Sequence, residues 1–183
     1  MKNQILLFIV FLMAGACTPT LVRDMGSPSA WNDNGQSYIE SVHVTLLPGL
    51  INEHVLDDVV SVLQDTMRAY GLRADVEIYN RLALESPVQR SENLNDRDYD
   101  VYVMMSLKYW APDLATYRMY WYTDAEAKDK QKFYEMTVAF GHSNEYASDE
   151  LIAKYYKIAM TQFIEKLQKR DILGPEPSAE SYY

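Results

Sequence analysis

Hydrophobic residues recur along residues 38–170 with two spacings, which together predict five strands and two helices. Alternation of apolar and polar side chains indicates strands, and apolar side chains three or four positions apart indicate amphipathic helices. The predicted strands cover residues 38–47, 72–79, 99–109, 117–123 and 132–140, and the predicted helices cover residues 52–70 and 148–170. The order β-α-β-β-β-β-α predicts an α+β two-layer sandwich, with a mostly antiparallel sheet of about five strands and both helices on one face.

Residues that favour helix ends support these boundaries. Asn52 and Ser148 precede the two apolar stripes, and both residue types commonly cap the first turn of a helix. Gly71 follows the first stripe, where glycine is the preferred residue after a helix. The charged residues 124–131 show no periodicity and predict a hairpin loop between the last two strands, and the polar residues 82–98 predict a long loop.

The first seventeen residues have the organisation of an export signal. Lys2 supplies one positive charge, and residues 5–16 form an uncharged apolar run that is too short to cross a bilayer as a helix. The run ends in small residues directly before Cys17. The sequence Leu-Met-Ala-Gly-Ala-Cys at residues 12–17 resembles the lipobox of bacterial lipoproteins, although Ala14 stands where leucine is commonest.

The lipobox resemblance implies a signal peptide at residues 1–16 and a Cys17 that carries diacylglycerol, with its new amino group acylated. Thr18, rather than aspartate, follows the cysteine, which is similar to the signal for the outer membrane. Residues 17–37 contain Pro, Gly and Ser without apolar periodicity and predict a flexible tether. Residues 38–170 then form a single domain and residues 171–183 a disordered tail. The expected location is the bacterial cell envelope, lipid-anchored in the outer membrane and facing the periplasm.

The acidic composition narrows the classes of partner. The formal charge of the chain is -9, which disfavours nucleic acid and disfavours charge-driven binding to an anionic bilayer. The single cysteine excludes an internal disulfide and a cysteine-rich metal site. Tyrosine is abundant, at 15 residues, and tyrosine suits half-wet surfaces because it combines an apolar ring with a polar tip.

Two neighbouring predicted strands carry aromatic side chains on both faces. The face opposite the core is predicted to hold a partner-binding surface of residue types that are enriched in interfaces. Its members are Tyr102, Met104, Arg118, Tyr120 and Tyr122. The alternative interpretation is an ordinary solvated face stabilised by cross-strand pairs, or a face that the loop 82–98 covers.

No catalytic motif stands out, and the sequence predicts no cofactor and no metal ion. The chain contains no glycine-rich phosphate loop, nucleophile elbow or zinc-protease motif. His142 follows a predicted strand and is a weak candidate for a hydrolytic site, with a loop histidine as the simpler interpretation. Asp98 and Asp100 are spaced to share a strand face, as in a calcium or acid–base pair, or they simply end and solubilise the strand.

Three functions therefore remain open at the level of sequence. The first is a non-enzymatic, lipid-anchored envelope accessory protein that binds a protein partner in an assembly or transport complex. The second is a glycan- or lipid-binding module with a concave pocket near Trp110 or Trp121. The third is an envelope hydrolase that uses His142.

Overall fold

The computed structural model describes residues 20–26, 31, 38–47, 53–79, 97–109, 117–129, 131–142 and 148–173. Within these ranges the main elements are six strands and two helices, one strand more than the sequence pattern predicts. The strands are β1 (Thr20–Gly26), β2 (Ser41–Leu47), β3 (Arg73–Ile78), β4 (Val101–Tyr109), β5 (Tyr117–Ala127) and β6 (Lys132–His142). The helices are α1 (Glu53–Ala69) and α2 (Asp149–Gln168).

The strands form one mixed sheet in the order β1-β6-β5-β4-β2-β3. Strands β4, β5, β6 and β1 pair antiparallel, whereas β2 pairs parallel with both β4 and β3. A parallel pair needs a long crossover, and α1 supplies it between β2 and β3. The predicted α+β fold with a mostly antiparallel sheet is confirmed. No helix in the part of the chain that the structure describes is long and apolar enough to cross a membrane.

Both helices bury an apolar stripe in the core on one side of the sheet. In α1 the buried residues recur four positions apart, as Val55, Val59, Leu63 and Met67. The helix ends at Ala69, and the positive φ of 76° at Gly71 lets the amide of Leu72 return to the carbonyl of Met67 at 3.1 Å. At the start of α2 the hydroxyl of Ser148 accepts a hydrogen bond from the amide of Leu151 at 3.3 Å. The predicted helix ends at Gly71 and Ser148 are confirmed, whereas Asn52, the predicted cap of α1, lies outside the described residues.

Aromatic rings of the sheet and of α2 form the centre of the core. Trp121 of β5 is completely buried and makes edge-to-face contacts with Phe140, Tyr155 and Tyr156. Phe140 stacks on Tyr155, with ring centroids 4.2 Å apart. Further along β6, Tyr134 stacks on Phe163. These contacts fix α2 antiparallel to β6, so that the first turn of α2 lies near the carboxyl end of that strand.

Part of the predicted flexible tether is a strand of the sheet. Residues 20–26 form β1, which pairs with β6 along its length, so the prediction of a tether over residues 17–37 was wrong for this segment. Trp31 in the same range is also buried, with its ring 5.2 Å from that of Phe133. The physical reason is that β6 would otherwise offer an unpaired edge, and β1 satisfies its backbone groups. Cys17 lies outside the described residues.

The predicted tail begins too early. Ile172 and Leu173 are buried, and the amide of Ile39 donates to the carbonyl of Ile172 at 2.8 Å. The chain turns into this contact at Asp171, a non-glycine residue with a φ of 53°. Residues 171–173 therefore belong to the domain, and the prediction of a disordered tail from residue 171 was wrong for these three. Residues 174–183 lie outside the described part.

The hairpin between β5 and β6 is tighter than the sequence suggests. β5 continues to Ala127, so the prediction of a loop over 124–131 was wrong for residues 124–127. Ala125 and Ala127 are buried on the core face, while Asp124 and Glu126 point to the other face. Ala125 and Ala127 alternate with charged residues as in any strand. A search for large apolar side chains does not detect this alternation, because alanine is small.

Candidate functional site

The sheet face that points away from α1 and α2, here called the outer face, carries four of the five predicted partner-binding side chains. Tyr102 and Met104 of β4 alternate with buried core residues, and so do Tyr120 and Tyr122 of β5. The backbone of Arg118 pairs with Gly141, so this residue has the same position in the alternation; its side chain lies outside what the structure describes. The antiparallel pairing of β4 and β5 confirms the prediction that these two strands are neighbours.

The tyrosines of the outer face are half-buried and contact their neighbours. The rings of Tyr120 and Tyr122 lie 6.4 Å apart, and the ammonium of Lys108 lies 5.0 Å from the ring centroid of Tyr122. The hydroxyl of Tyr102 donates to the carbonyl oxygen of Arg97. A cation over an aromatic ring and a hydrogen-bonded hydroxyl hold the rings in fixed positions, which reduces the entropy lost when a partner binds.

Two exposed methionines lie on one row across the outer face. Met25 of β1 pairs with Glu135, Glu135 with Asp124, and Asp124 with Met104. The exposed fractions of the methionines are 42% and 49%. The carboxylates between them share Lys132, whose ammonium lies 3.1 Å from Asp124 and 3.0 Å from Glu135. The row thus presents two flexible apolar side chains about 14 Å apart, three strand spacings, with an ion-paired centre.

The second feature of the outer face is a buried histidine whose ring nitrogens form no hydrogen bonds. His43 of β2 is 1% exposed, and neither ring nitrogen has a hydrogen-bond partner. Nδ1 lies 3.8 Å from a carboxylate oxygen of Asp75, and Nε2 lies 3.7 Å from one of Glu77. Arg97 bridges the same two carboxylates, at 3.6 Å and 3.2 Å respectively.

Tyrosine rings close this histidine off from water. The rings of Tyr99 and Tyr102 lie 5.4 Å and 6.1 Å from that of His43, and the guanidinium of Arg73 lies over the ring of Tyr99. Burial lowers the pKa of His43 from its usual value, and this effect outweighs the opposing attraction of Glu77 and Asp75. His43 is therefore a neutral, water-excluded imidazole at neutral pH, and it is not placed to exchange protons with a substrate.

The two aspartates that could have formed a metal site have different partners. The carboxylate of Asp100 accepts hydrogen bonds from the amides of Glu40 and Ser41 and from the hydroxyl of Ser41, at 3.0, 2.9 and 2.8 Å. Asp98 forms an ion pair with Lys128, which lowers the pKa of its carboxyl. Asp100 thus fixes the start of β2 against β4. In the described ranges no three His, Cys, Asp or Glu side chains converge on a common point as metal ligands.

A polar cleft opens at the same end of the sheet. It has a volume of about 630 Å³ and lies where β2 and β3 begin. Its polar lining comes from Glu40, Ser41, Arg73, Asp98 and Asp100. Because Asp100 and Asp98 are engaged with the groups described above, and Arg73 donates to the carbonyl of Asp98, most of this lining is already paired within the domain.

The remaining candidate residues separate into buried and undescribed ones. Trp121 has no exposed surface, so the prediction that it lines a glycan-binding pocket was wrong. Trp110, the other tryptophan proposed for this pocket, lies outside the described residues. His142 ends β6 with its backbone opposite Tyr117, and its side chain is outside what the structure describes. The loop 82–98, predicted as a possible cover, is described only from residue 97.

Sequence reasoning missed both His43 and Met25. The neighbours of His43 come from β3, from residue 97 and from β4, and only the parallel pairing of β2 brings them together. The one available signal is the alternation in β2, which places Ser41, His43 and Thr45 on a single face. Met25 lies in a segment whose pairing partner is more than a hundred residues away, so no local pattern identifies it.

Comparison with known proteins identifies no family for this chain. No protein-family model matches it, and no curated protein matches it. Among solved structures the chain is similar to the PelC dodecamer from Paraburkholderia phytofirmans, at 15% identity and a TM-score of 0.47, over 82% of this chain and 99% of that one. A point variant of the same protein gives 12% identity and a TM-score of 0.48, over 82% and 98%. At these values the likeness carries no functional argument.

Proposed function

We propose that this chain is a lipid-anchored, non-enzymatic accessory protein of the bacterial cell envelope, which binds a protein partner through the outer face of its sheet. The anchor would be the lipid on Cys17, in the outer membrane and facing the periplasm. The partner would belong to an assembly or transport complex. The observation that carries the partner proposal is the row of Met25 and Met104, each more than 40% exposed, beside half-buried tyrosines.

The chemistry of the outer face supports a protein partner. Methionine adapts its shape to the opposing surface, and tyrosine offers a large apolar area with a hydroxyl that forms hydrogen bonds. Tyr102 is the next outer-face residue along β4 from Met104, and Tyr122 is the next outer-face residue along β5 from Asp124, the residue that pairs with Met104. Apolar side chains surrounded by polar ones are the usual arrangement of an interface core and its rim.

The described residues favour binding over catalysis. A catalytic base must reach the substrate, and His43 is sealed beneath Tyr99 and Tyr102. The carboxylate of Asp100 already accepts three hydrogen bonds from residues at the start of β2. Contacts between strands are therefore sufficient to explain the positions of His43 and Asp100.

The anchor is tested directly by mass spectrometry of the amino-terminal peptide of the protein purified from membranes of its host. The expected peptide begins at Cys17 and carries diacylglycerol and an amide-linked acyl chain. The Cys17→Ser variant should lose the modification and leave the membrane fraction. An intact Met1, or a free thiol on Cys17, would remove the anchor from the proposal.

The partner surface is tested by photo-crosslinking in cells. A photoreactive amino acid replaces Met104 in one version of the full chain and the exposed Lys157 of α2, on the opposite layer, in another. We expect a discrete protein adduct from position 104 only, which disappears when Met25→Lys is added because this change places a charge on the same row. Equal adducts from both positions, or an adduct that Met25→Lys does not affect, would exclude the outer face as the binding surface.

A further inference from the structure

We infer that β1 holds the domain on the bilayer in a fixed orientation, with the corner of the outer face near Thr20, Tyr120 and Lys108 against the phospholipid headgroups. This inference rests on the proposed lipidation of Cys17. It goes beyond anchoring, because it assigns a lipid-contacting surface to the folded domain and replaces the flexible tether expected from the sequence.

The covalent distance between the lipid and the sheet is short. Only Thr18 and Pro19 separate Cys17 from β1, so the sulfur-bearing residue lies within about 10 Å of Thr20 even when the chain is fully extended. β1 is paired with β6 along its length, and Lys166 of α2 also binds Asp24 at 2.8 Å. The strand therefore has no freedom to act as a spacer.

One row of the sheet connects the anchor to a basic and aromatic corner. Thr20 pairs with Ala139, Ala139 with Tyr120, and Tyr120 with Lys108. At about 4.8 Å per strand, Tyr120 lies about 10 Å and Lys108 about 14 Å from Thr20. Lys108 is exposed and Tyr120 is half-buried. The next outer-face position on β5, one step further towards this end, is Arg118, whose backbone pairs with Gly141.

These residue types match the headgroup layer. Tyrosine rings concentrate at the membrane–water boundary, and lysine and arginine interact with anionic headgroups there. The sequence assigns Arg118 and Tyr120 to the partner surface. In this arrangement they belong to the lipid-contacting corner instead, apart from Met104. The partner surface then keeps Met25, Met104, Tyr102 and Tyr122.

The acidic residues of the outer face lie at the opposite end. Along β5, Tyr120 is followed by Asp124 and Glu126, and the turn after the strand contains Asp129. Ala127, the end of β5, lies seven positions after Tyr120, which places this turn about 24 Å or more from the corner. The overall charge of -9 does not attract the chain to an anionic surface. Lys128 and Lys132 offset part of the acidic charge at the turn, and the carboxylates that remain favour approach of the Lys108 corner over approach of the turn.

The helix layer determines the tilt. α2 starts near the end of the sheet that holds the lipid-contacting corner, because Tyr155 stacks on Phe140 while Phe163 stacks on Tyr134. Its first turn contains Asp149 and Glu150, which anionic headgroups repel. The side of the domain that leans towards the lipid is therefore the outer face of the sheet and not the helix layer.

Site-directed spin labelling measures this orientation in the lipidated protein. Cys17 is the only cysteine and its sulfur is blocked by the lipid, so Lys108→Cys and the matched control Asp129→Cys each supply one reactive thiol. The labelled proteins are reconstituted in vesicles of phosphatidylethanolamine and phosphatidylglycerol that contain a nickel-chelating lipid. We expect relaxation by the surface nickel to be several-fold stronger at position 108, because Asp129 lies in the turn about 24 Å or more from the row of Tyr120 and Lys108.

A longer linker provides the second measurement. Insertion of about twelve Gly and Ser residues between Thr18 and Pro19 should remove most of the difference between the two labels if the short linker sets the orientation. Equal relaxation at positions 108 and 129 without the insertion, or stronger relaxation at 129, in protein whose lipid is confirmed by mass spectrometry, would overturn the orientation and leave the proposed function intact. Absence of lipid on Cys17 would instead overturn the proposed function.

Discussion

The ammonium of Lys166 in α2 lies 2.8 Å from a carboxylate oxygen of Asp24 in β1, and it joins residues 142 positions apart. Asp24 therefore connects the edge strand to the helix layer as well as to β6. This contact holds the segment directly after the candidate lipidation site against the domain.

Replacing Asp24 by Asn should loosen β1 without unfolding the domain. Both side chains are about one third exposed, and ion pairs of that exposure contribute about 1 kcal/mol or less to stability. We expect a small decrease in the free energy of unfolding but a clear increase in amide hydrogen exchange within residues 20–26. The Asp65→Asn variant, which alters an exposed pair within α1, should leave exchange in β1 unchanged; equal effects in both variants would refute this role of Asp24.

Replacing Asp100 by Ala should destabilise the domain by about 2 kcal/mol. The change removes three hydrogen bonds to a carboxylate and leaves the amide of part-buried Ser41 without its acceptor. Asp98→Ala on the same segment is the matched control, and it should destabilise the domain clearly less than Asp100→Ala because Asp98 is exposed and its ion pair lies at the surface. Urea unfolding of both variants measures the difference, and similar losses would contradict the assignment of Asp100 to the β2–β4 junction.

Stability should decrease as the pH falls below the pKa of His43 in the unfolded chain. That pKa is about 6.5, and burial lowers the pKa in the folded domain. The folded state consequently binds fewer protons than the unfolded state between the two values, so stability is lost as the pH falls from about 6.5 towards the folded pKa. Above about 6.5 the imidazole is neutral in both states and contributes no pH dependence.

The His43→Gln variant isolates this effect. Between about pH 7 and pH 5 its unfolding free energy should depend less steeply on pH than that of the native chain, since the buried imidazole is gone. His54→Gln, on the exposed surface of α1, serves as the control for the removal of a histidine from a surface position. Asp75, Glu77, Arg97, Tyr99 and Tyr102 surround His43 and remain in both variants. A native slope in His43→Gln would show that another group is responsible.

Trp121 should behave as a core residue. Trp121→Ala is expected to cost about 3–5 kcal/mol, because it leaves a cavity among Phe140, Tyr155 and Tyr156. Trp121→Phe should cost less, since the smaller ring preserves some of the packing and removes an indole N–H that has no hydrogen-bond partner. Thermal unfolding measures both. Quenching of Trp121 fluorescence by a soluble glycan would contradict its burial.

The sequence predicts most of the fold because most elements have strong local patterns. The alternation in β4, with Val101, Val103 and Met105 on one face, is nearly uninterrupted, and so is the stripe of α1. Ser148 and Gly71 mark helix ends by chemistry that operates within a few residues. Such signals survive without knowledge of the tertiary structure.

The missed features depend on contacts that are distant along the chain. In β1 the register shifts between Leu21 and Arg23, so the strand lacks regular alternation, and its stability comes from β6. β2 looks half-polar in the sequence, but it lies between β3 and β4, where neighbouring side chains cover His43 and Thr45. Tertiary contacts decided both outcomes, which is why the local pattern predicts a tether over residues 20–26 and does not reveal the burial of His43 and Thr45.

The order in which the strands are synthesised has a consequence for processing. β4, β5 and β6 follow one another as neighbouring antiparallel strands, whereas β1 must wait for β6, the last strand along the described part of the chain. Short-range pairings form sooner than long-range ones. If Cys17 is lipidated as proposed, and the chain is translocated from its amino terminus, residues 20–26 would still be unpaired when the lipid is attached. The last strand to dock would then draw an already lipidated end onto the finished sheet, which separates modification and folding in time.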